Sequence, residues 1–376
     1  MIKRKVKLKK PAKVAIQIVS FILIVFIGIF AFYRYNIHQL KQIGYSEKAS
    51  KNILLQFRKK DVLLIGENKT LNKAFESSYY IDDNFDSYSK IKYQDQKNLI
   101  KNINTLIKKK YSNSNISMII ARGNDDDVVE FAKIDKVRYV EEFLSFSYAK
   151  LKYYDRYVNY SLETGEDEET TVLYVNLGMD KEDYTDPIII QEYDNKVLVN
   201  KHRMLSKDYV PENLVKVSEE YASDKTQEGS REAVDAFIKM AKDAKKENLG
   251  IIINSSYRSY EEQEELCTTY ANLYGQSYVD KYVAKAGFSE HQTGLAFDIG
   301  STSANVFANS DEYKWMLDNA HKYGFILRYT EGYEKIHGFI FEPWHYRYVG
   351  VDIATDMYKN YPNMTYEEYY VRFIEK

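Results

Sequence analysis

The stretch Ser289–Asp298, SEHQTGLAFD, sets a histidine and an aspartate seven residues apart around a glycine. A turn leading into a strand fits it. Gly294 permits a tight backbone, and strand alternation then puts Leu295 and Phe297 opposite to Ala296 and Asp298. Ordinary polar residues at the end of a strand would have the same spacing. A third metal ligand, a base and a compartment that suits the chemistry therefore decide what the stretch means.

The chain has six histidines, so candidates for a third ligand are few. His38 follows a long apolar run, His202 lies in a basic loop, His321 shares a helical pattern with Trp315 and Ala320, and His337 adjoins Gly338. His345 stands in EPWHYRYVG, three residues after Glu342. Pro343 between them removes an amide donor and restrains Glu342, so the segment reads as a turn or extended chain and not as a helix interior. No HExxH occurs, which sets aside helix-based zinc proteases. His291, Asp298 and His345 would give three ligands, and catalytic zinc sites keep a fourth position for water. Glu342 is then a spare carboxylate able to take a proton from water whose pKa the metal has lowered to about 7.

With 376 residues the chain is long enough for two domains, and its formal charge of −2 gives no reason to expect a nucleic-acid partner. That charge is unevenly spread. MIKRKVKLKKPAK, residues 1–13, carries seven Lys or Arg, which leaves −9 on the rest. Residues 14–33, VAIQIVSFILIVFIGIFAFY, hold no charge and are long enough to cross a hydrocarbon core about 30 Å thick. A cleaved signal peptide would end in small residues, and IFAFYRYN offers no such site. The positive head places the amino terminus in the cytoplasm and the body outside the cell membrane, as a single-pass protein. Cys267 is the single cysteine, so no intramolecular disulfide forms; beside Leu266 and Tyr270 it reads as a small core residue.

Four regions follow: a basic tail (1–13), a membrane anchor (14–33), a mainly helical segment (34–190) and a mixed domain (191–376). Asp135–Tyr160 shows Val137, Val140, Leu144, Tyr148, Leu151 and Val158 at helical spacing. GYSEKASKNIL (44–54) is matched by KYSNSNISMII (110–120), and DSY (86–88) by DRY (155–157), which suggests a degenerate helical repeat. SLETGEDEETT (161–171) reads as a solvated connection, and TVLYVNL, PIIIQEY and KVLVN as strands. Beyond these, Ser230 can cap a helix whose inner face is Val234, Phe237, Met240, Ala241 and Ala244. LGIIINSS reads as a strand, SYEE (259–262) as a capping box opening a helix to about Tyr274, and Asp311–Tyr323 as a helix capped by Ser310 and stopped by Gly324. Arg258 falls in the strand-to-helix turn, and FILRY and GFIFEPWHYRYV close the fold as strands.

Taken together, SSYRSYEEQ, SEHQTGLAFD and EPWHYRYVG resemble the VanY-type D-alanyl-D-alanine carboxypeptidases, of the wider lysostaphin and hedgehog-like metallopeptidase group. The Ser-x-His-x-x-Gly-x-Ala-x-Asp signature is complete as Ser289, His291, Gly294, Ala296 and Asp298. The resemblance covers roughly Val197 to Tyr361. It implies an α+β domain with a small antiparallel sheet and flanking helices, and zinc held by His291, Asp298 and His345. It further implies Glu342 as catalytic base, Arg258 steadying the carbonyl oxygen, and Ser289 and Gln263 lining the pocket for the substrate's terminal residue. The implied reaction is loss of the C-terminal D-alanine from peptidoglycan stem peptides by attack of zinc-activated water. Two alternatives share these residues: an L,D-carboxypeptidase trimming tetrapeptide stems, and a non-catalytic hedgehog-like binding module. The first turns on pocket shape. The second has no use for Glu342. Nothing before residue 190 falls within the resemblance.

Overall fold

The computed structural model describes residues 10–134 and 139–375, so most of the basic head, and Val137, lie outside the described residues. The chain divides into two compact units, one running to Ser145 with Lys150–Lys152, the other comprising Phe146–Ala149 and Tyr153 onward.

The first unit is helical. Its opening helix, Lys10–Gln42, leaves every large apolar side chain from Val14 to Phe32 exposed. It is long and apolar enough to cross a membrane, with a mean hydropathy of 2.8 over its most apolar 18 residues. After it the suspected repeat takes physical form. Tyr45 and Tyr111 are both buried, and each precedes a serine, Ser46 or Ser112, whose Oγ accepts from a backbone N–H at 3.1 Å and caps the helix Glu47–Leu55 or Asn113–Arg122. Tyr88 of DSY is fully buried and donates to Asn104 Oδ1 at 2.5 Å, while Asn104 Nδ2 donates to the carbonyl of Tyr79 at 2.7 Å. In the second unit Tyr157 of DRY donates to Asn176 Oδ1 at 2.6 Å, and Asn176 Nδ2 donates to the carbonyl of Tyr148 at 2.7 Å. Each tyrosine thus reaches, through an asparagine, the carbonyl nine residues before it.

Several expectations for the middle of the chain are corrected. TVLYVNL is not a strand but the buried part of the helix Glu168–Leu177, capped by Asp167 and ended by left-handed Gly178. Every residue from Thr171 to Leu177 is buried, and that two-sided burial favours the mostly apolar composition, with Thr171, Val172 and Val175 β-branched, that mimics a strand. SLETGEDEETT is accordingly a helix end, a turn at Gly165 and a new helix start. The periodic run from Asp135 is broken into Val140–Leu144 and Tyr154–Thr164. Leu173 and Leu177 pack with Leu198, Ile326, Val349 and Met357, so the second compact unit begins well before the boundary expected near residue 190.

The second unit is α+β. Its strands are β1 Ile188–Ile189, β2 Arg203–Met204, β3 Leu214–Lys216, β4 Glu228–Ser230, β5 Ile251–Ser255, β6 Ala296–Ser301, β7 Phe325–Leu327 and β8 His345–Tyr348. PIIIQEY therefore supplies only two strand residues, and KVLVN contributes a single bridge at Asn200. The first four strands form two short pairs, and the last four make an antiparallel sheet in the order β5-β6-β8-β7. One sheet face, with Phe297, Ile299, Phe325 and Tyr346, packs on Phe237, Met240 and Ala244 of the helix Arg231–Lys246. Ser230 precedes that helix without a side-chain cap bond, whereas Ser259 and Glu262 do form the expected capping box. Cys267 is half-buried, its Sγ 3.3 Å from the carbonyl of Ala284, and is not a core residue.

Candidate active site

Register puts the ligand candidates together. In β6 the residues facing the helix-packed core are Phe297 and Ile299, which turns Asp298 to the opposite face. Asp298 pairs across the sheet with His345 on β8 and with Ser255 on β5, where a bulge interrupts the ladder. His291 comes from the 3-10 turn Glu290–Thr293, which closes through Gly294 in the left-handed region at φ 66°. A Cβ at Gly294 would stand 2.9 Å from the amide nitrogen of Ser230, so a side chain there would both strain the turn and push it off β4.

His291 Nε2 lies 3.5 Å from Asp298 Oδ2, and His345 Nδ1 lies 3.1 Å from Asp298 Oδ1. One ligand atom from each residue falls within 4.8 Å of the others. The remaining ring nitrogens are engaged: His291 Nδ1 is 2.7 Å from the carbonyl of Ser256, and His345 Nε2 is 3.4 Å from Glu290 Oε2. That arrangement fixes both rings and leaves the facing nitrogens free to ligate, so two imidazoles and one carboxylate fit zinc. The other four histidines lie outside this cluster.

Glu342 approaches from the turn before β8, its Oε2 3.7 Å from His345 Nδ1 and its N–H bonded to the carbonyl of Tyr329. Burial pushes its carboxyl up to about 7, against the pull of His345. Burial alone would also raise Asp298, but His291 and His345 outweigh it and hold that carboxyl well below the usual range. The Arg258 amide donates to the carbonyl of His291 at 3.2 Å, and its guanidinium donates to Gln263 Oε1 at 2.5 Å and Ser255 Oγ at 3.0 Å. Gln263 is held in turn by the carbonyl of Ala284. Ser289 is buried and accepts from the His291 amide at 3.4 Å. The structure thus brings all seven sequence-derived residues into one connected neighbourhood.

The sequence reading passed over what stands behind the ligands. Glu290, inside the signature stretch, is fully buried between Arg328 Nε at 2.8 Å and Arg347 Nη1 at 3.1 Å. Burial would raise its carboxyl, but the two guanidiniums hold it low and ionised. Arg328 continues to both oxygens of Glu367, at 2.8 and 2.6 Å, and Arg347 to the carbonyl of Val197 at 2.8 Å. A charged chain therefore runs from His345 to a helix near the carboxyl end. Its members are dispersed over the sequence, and only the oddity of a charge beside His291 hinted at it.

Comparison with known proteins follows the same residues. The family model for VanY, D-alanyl-D-alanine carboxypeptidase, matches residues 227–351. The putative carboxypeptidase YodJ of Bacillus subtilis (strain 168) is 40% identical over 181 residues, 46% of this chain and 66% of that protein. A D-alanyl-D-alanine carboxypeptidase of Enterococcus faecium is 40% identical over 141 residues, 37% of this chain and 43% of that one. The chain thus spans less than two thirds of the length of either curated relative. Among solved structures, an LdcB LD-carboxypeptidase is 37% identical, with 50% of this chain and 90% of that one covered and a TM-score of 0.45. The likeness to the VanY family, D-alanyl-D-alanine carboxypeptidase, thus falls on residues 227–351, which contain the ligand cluster, Glu342, Arg258, Gln263 and Ser289.

Proposed function

We propose that the chain is a membrane-anchored zinc carboxypeptidase that removes the C-terminal D-alanine from peptidoglycan stem peptides. The observation that carries this reading is the convergence of His291, Asp298 and His345 within 4.8 Å, with the Glu342 carboxylate 3.7 Å from His345. A bound zinc ion supplies a Lewis acid there and makes water acidic enough to lose a proton near neutral pH.

The chain's own residues do the rest. Glu342 takes a proton from the attacking water; as the water's oxygen bonds to the carbonyl carbon and the C–N bond breaks, it returns that proton to the departing amine. Arg258, its guanidinium fixed by Gln263 and Ser255, supports the negative charge that grows on the carbonyl oxygen. Ser289 and Gln263 hold the terminal residue. A recognition module would need neither the carboxylate nor its burial, so Glu342 favours an enzyme. The apolar helix supports the anchor, and the seven positive charges of residues 1–13 support a cytoplasmic amino terminus.

Mass spectrometry of muropeptides incubated with the purified protein and zinc tests the assignment. Pentapeptide stems should lose one alanine. Trimming of tetrapeptide stems alone would make it an L,D-carboxypeptidase, and no cleavage by a zinc-loaded protein would contradict an enzyme altogether.

A further inference from the structure

The segment just beyond the apolar helix carries an apolar surface that the proposed activity does not use. The uncharged run ends at Tyr33, and the helix continues through Arg34, Tyr35 and Asn36 to Gln42. The chain then turns, and the helix Glu47–Leu55 runs back along it. Glu47 Oε2 lies 3.8 Å from Lys41 Nζ near the turn. Farther down, Lys59 Nζ donates to Gln39 Oε1 at 2.6 Å and to Asn36 Oδ1. A nine-residue helix is about 13 Å long, which returns the chain from Gln42 to the level of Tyr33–Asn36.

At that level the apolar residues face outward. Leu55 is 68% and Phe57 92% exposed, and the helix Lys59–Ile65 then climbs away again to where the carbonyl of Gly66 accepts from the Tyr45 hydroxyl at 3.2 Å. Phe57 moreover adopts a left-handed backbone, φ 57°, a conformation that polar Asn or Gly fills at lower cost on a wetted surface. Soluble surfaces rarely gather such residues. Around them stand Arg34 and Lys60, both exposed, and the aromatic pair Tyr33 and Tyr35, the composition of a membrane boundary.

We propose that Leu55–Phe57 is a second membrane contact, in which Leu55 and Phe57 enter the interface of the bilayer that the helix crosses and Arg34 and Lys60 meet lipid phosphates. The inference rests on the reading of Lys10–Gln42 as a membrane span. Its immediate consequence is that the outer end of the span is clamped at two places, which limits the tilt of everything attached to it.

Full-length protein reconstituted in phosphatidylcholine–phosphatidylglycerol vesicles tests it, using lipids brominated either near the headgroup or deep in the acyl chain. Phe57→Trp, Leu55→Trp and Phe26→Trp are each compared with the parent protein, whose two tryptophans set the baseline. The emission added by Phe57→Trp and Leu55→Trp should be blue-shifted and lost mainly to shallow bromine, and that added by Phe26→Trp mainly to deep bromine. If Phe26→Trp is quenched while the other two are indifferent to bromine, the second contact is wrong. A blue shift without quenching would mean that protein covers the patch, which also overturns it. If Phe26→Trp escapes quenching, the span itself is wrong and the inference falls with it.

Discussion

The two compact units solve the same local problem and then diverge. Each buries a tyrosine hydroxyl against an asparagine that passes on to a backbone carbonyl, Tyr88 with Asn104 in one and Tyr157 with Asn176 in the other. Among the described residues, the polar side chains buried in the first unit are neutral: Asn36, Ser50, Thr70 and Asn102. In the second unit Glu290, Arg328, Arg347, Glu367, His291 and His345 are all buried. Burying ionised groups costs several kcal/mol each unless they are paired, and a fold gains little stability from them that apolar packing would not supply. They mark where the chain does something other than hold itself together, and they gather at the candidate ligand cluster.

The largest effects should come from the ligands. His291→Ala, Asp298→Ala or His345→Ala should abolish stoichiometric zinc in metal analysis and hydrolysis with it, because three ligands leave none to spare. Arg258→Ala should keep zinc and lose about 2–4 kcal/mol of transition-state stabilisation, read as kcat/KM on a stem peptide. Glu290→Gln tests whether the buried charges serve the site. The change keeps the shape, weakens the hold on His345 Nε2, and should lower zinc affinity by about 10- to 100-fold in a chelator competition. Equal affinity would mean that the charged chain is structural only. The smallest effects belong to the shared motif. Tyr88→Phe should cost about 1 kcal/mol of unfolding free energy, and Tyr157→Phe more, since Asn176 is wholly buried whereas Asn104 is partly open to water. If Tyr157→Phe alone lowered activity, the motif in the second unit would be tied to catalysis, and the parallel between the units would fail.

The candidate site was legible because its residues sit in short local patterns. His291 and Asp298 share one turn and strand, Glu342 and His345 share one turn, and Arg258 and Gln263 flank one capping box. Alternation along β6 sent Asp298 away from the Phe297 core, as the sequence suggests. What escaped was non-local. Glu290 meets Arg328 and Arg347, and through Arg328 is linked to Glu367, only after four distant segments fold together, and no spacing announces that. The helix Glu168–Leu177 was misread because complete burial removes the polar face from which helical periodicity is recognised. That misreading also displaced the domain boundary. A protein begun at Pro187 would lack Leu173 and Leu177, which pack against Ile326 and Val349 beside the sheet.

The central claim is that three residues hold the metal while a fourth moves the proton, and Glu342→Gln separates the two. The amide has nearly the same size and cannot accept a proton. Zinc should stay near the parent's stoichiometry while turnover on a pentapeptide stem falls by about 100-fold or more. Because Glu342 acts ionised, the parent's activity should rise with pH, and its acid limb should lie at or below about 7, since a bound cation lowers the carboxyl from the value that burial sets. Zinc content and the pH profile of D-alanine release, measured side by side on the parent and Glu342→Gln, give the decisive comparison. A fully metallated Glu342→Gln protein that turned over at the parent's rate would contradict the account.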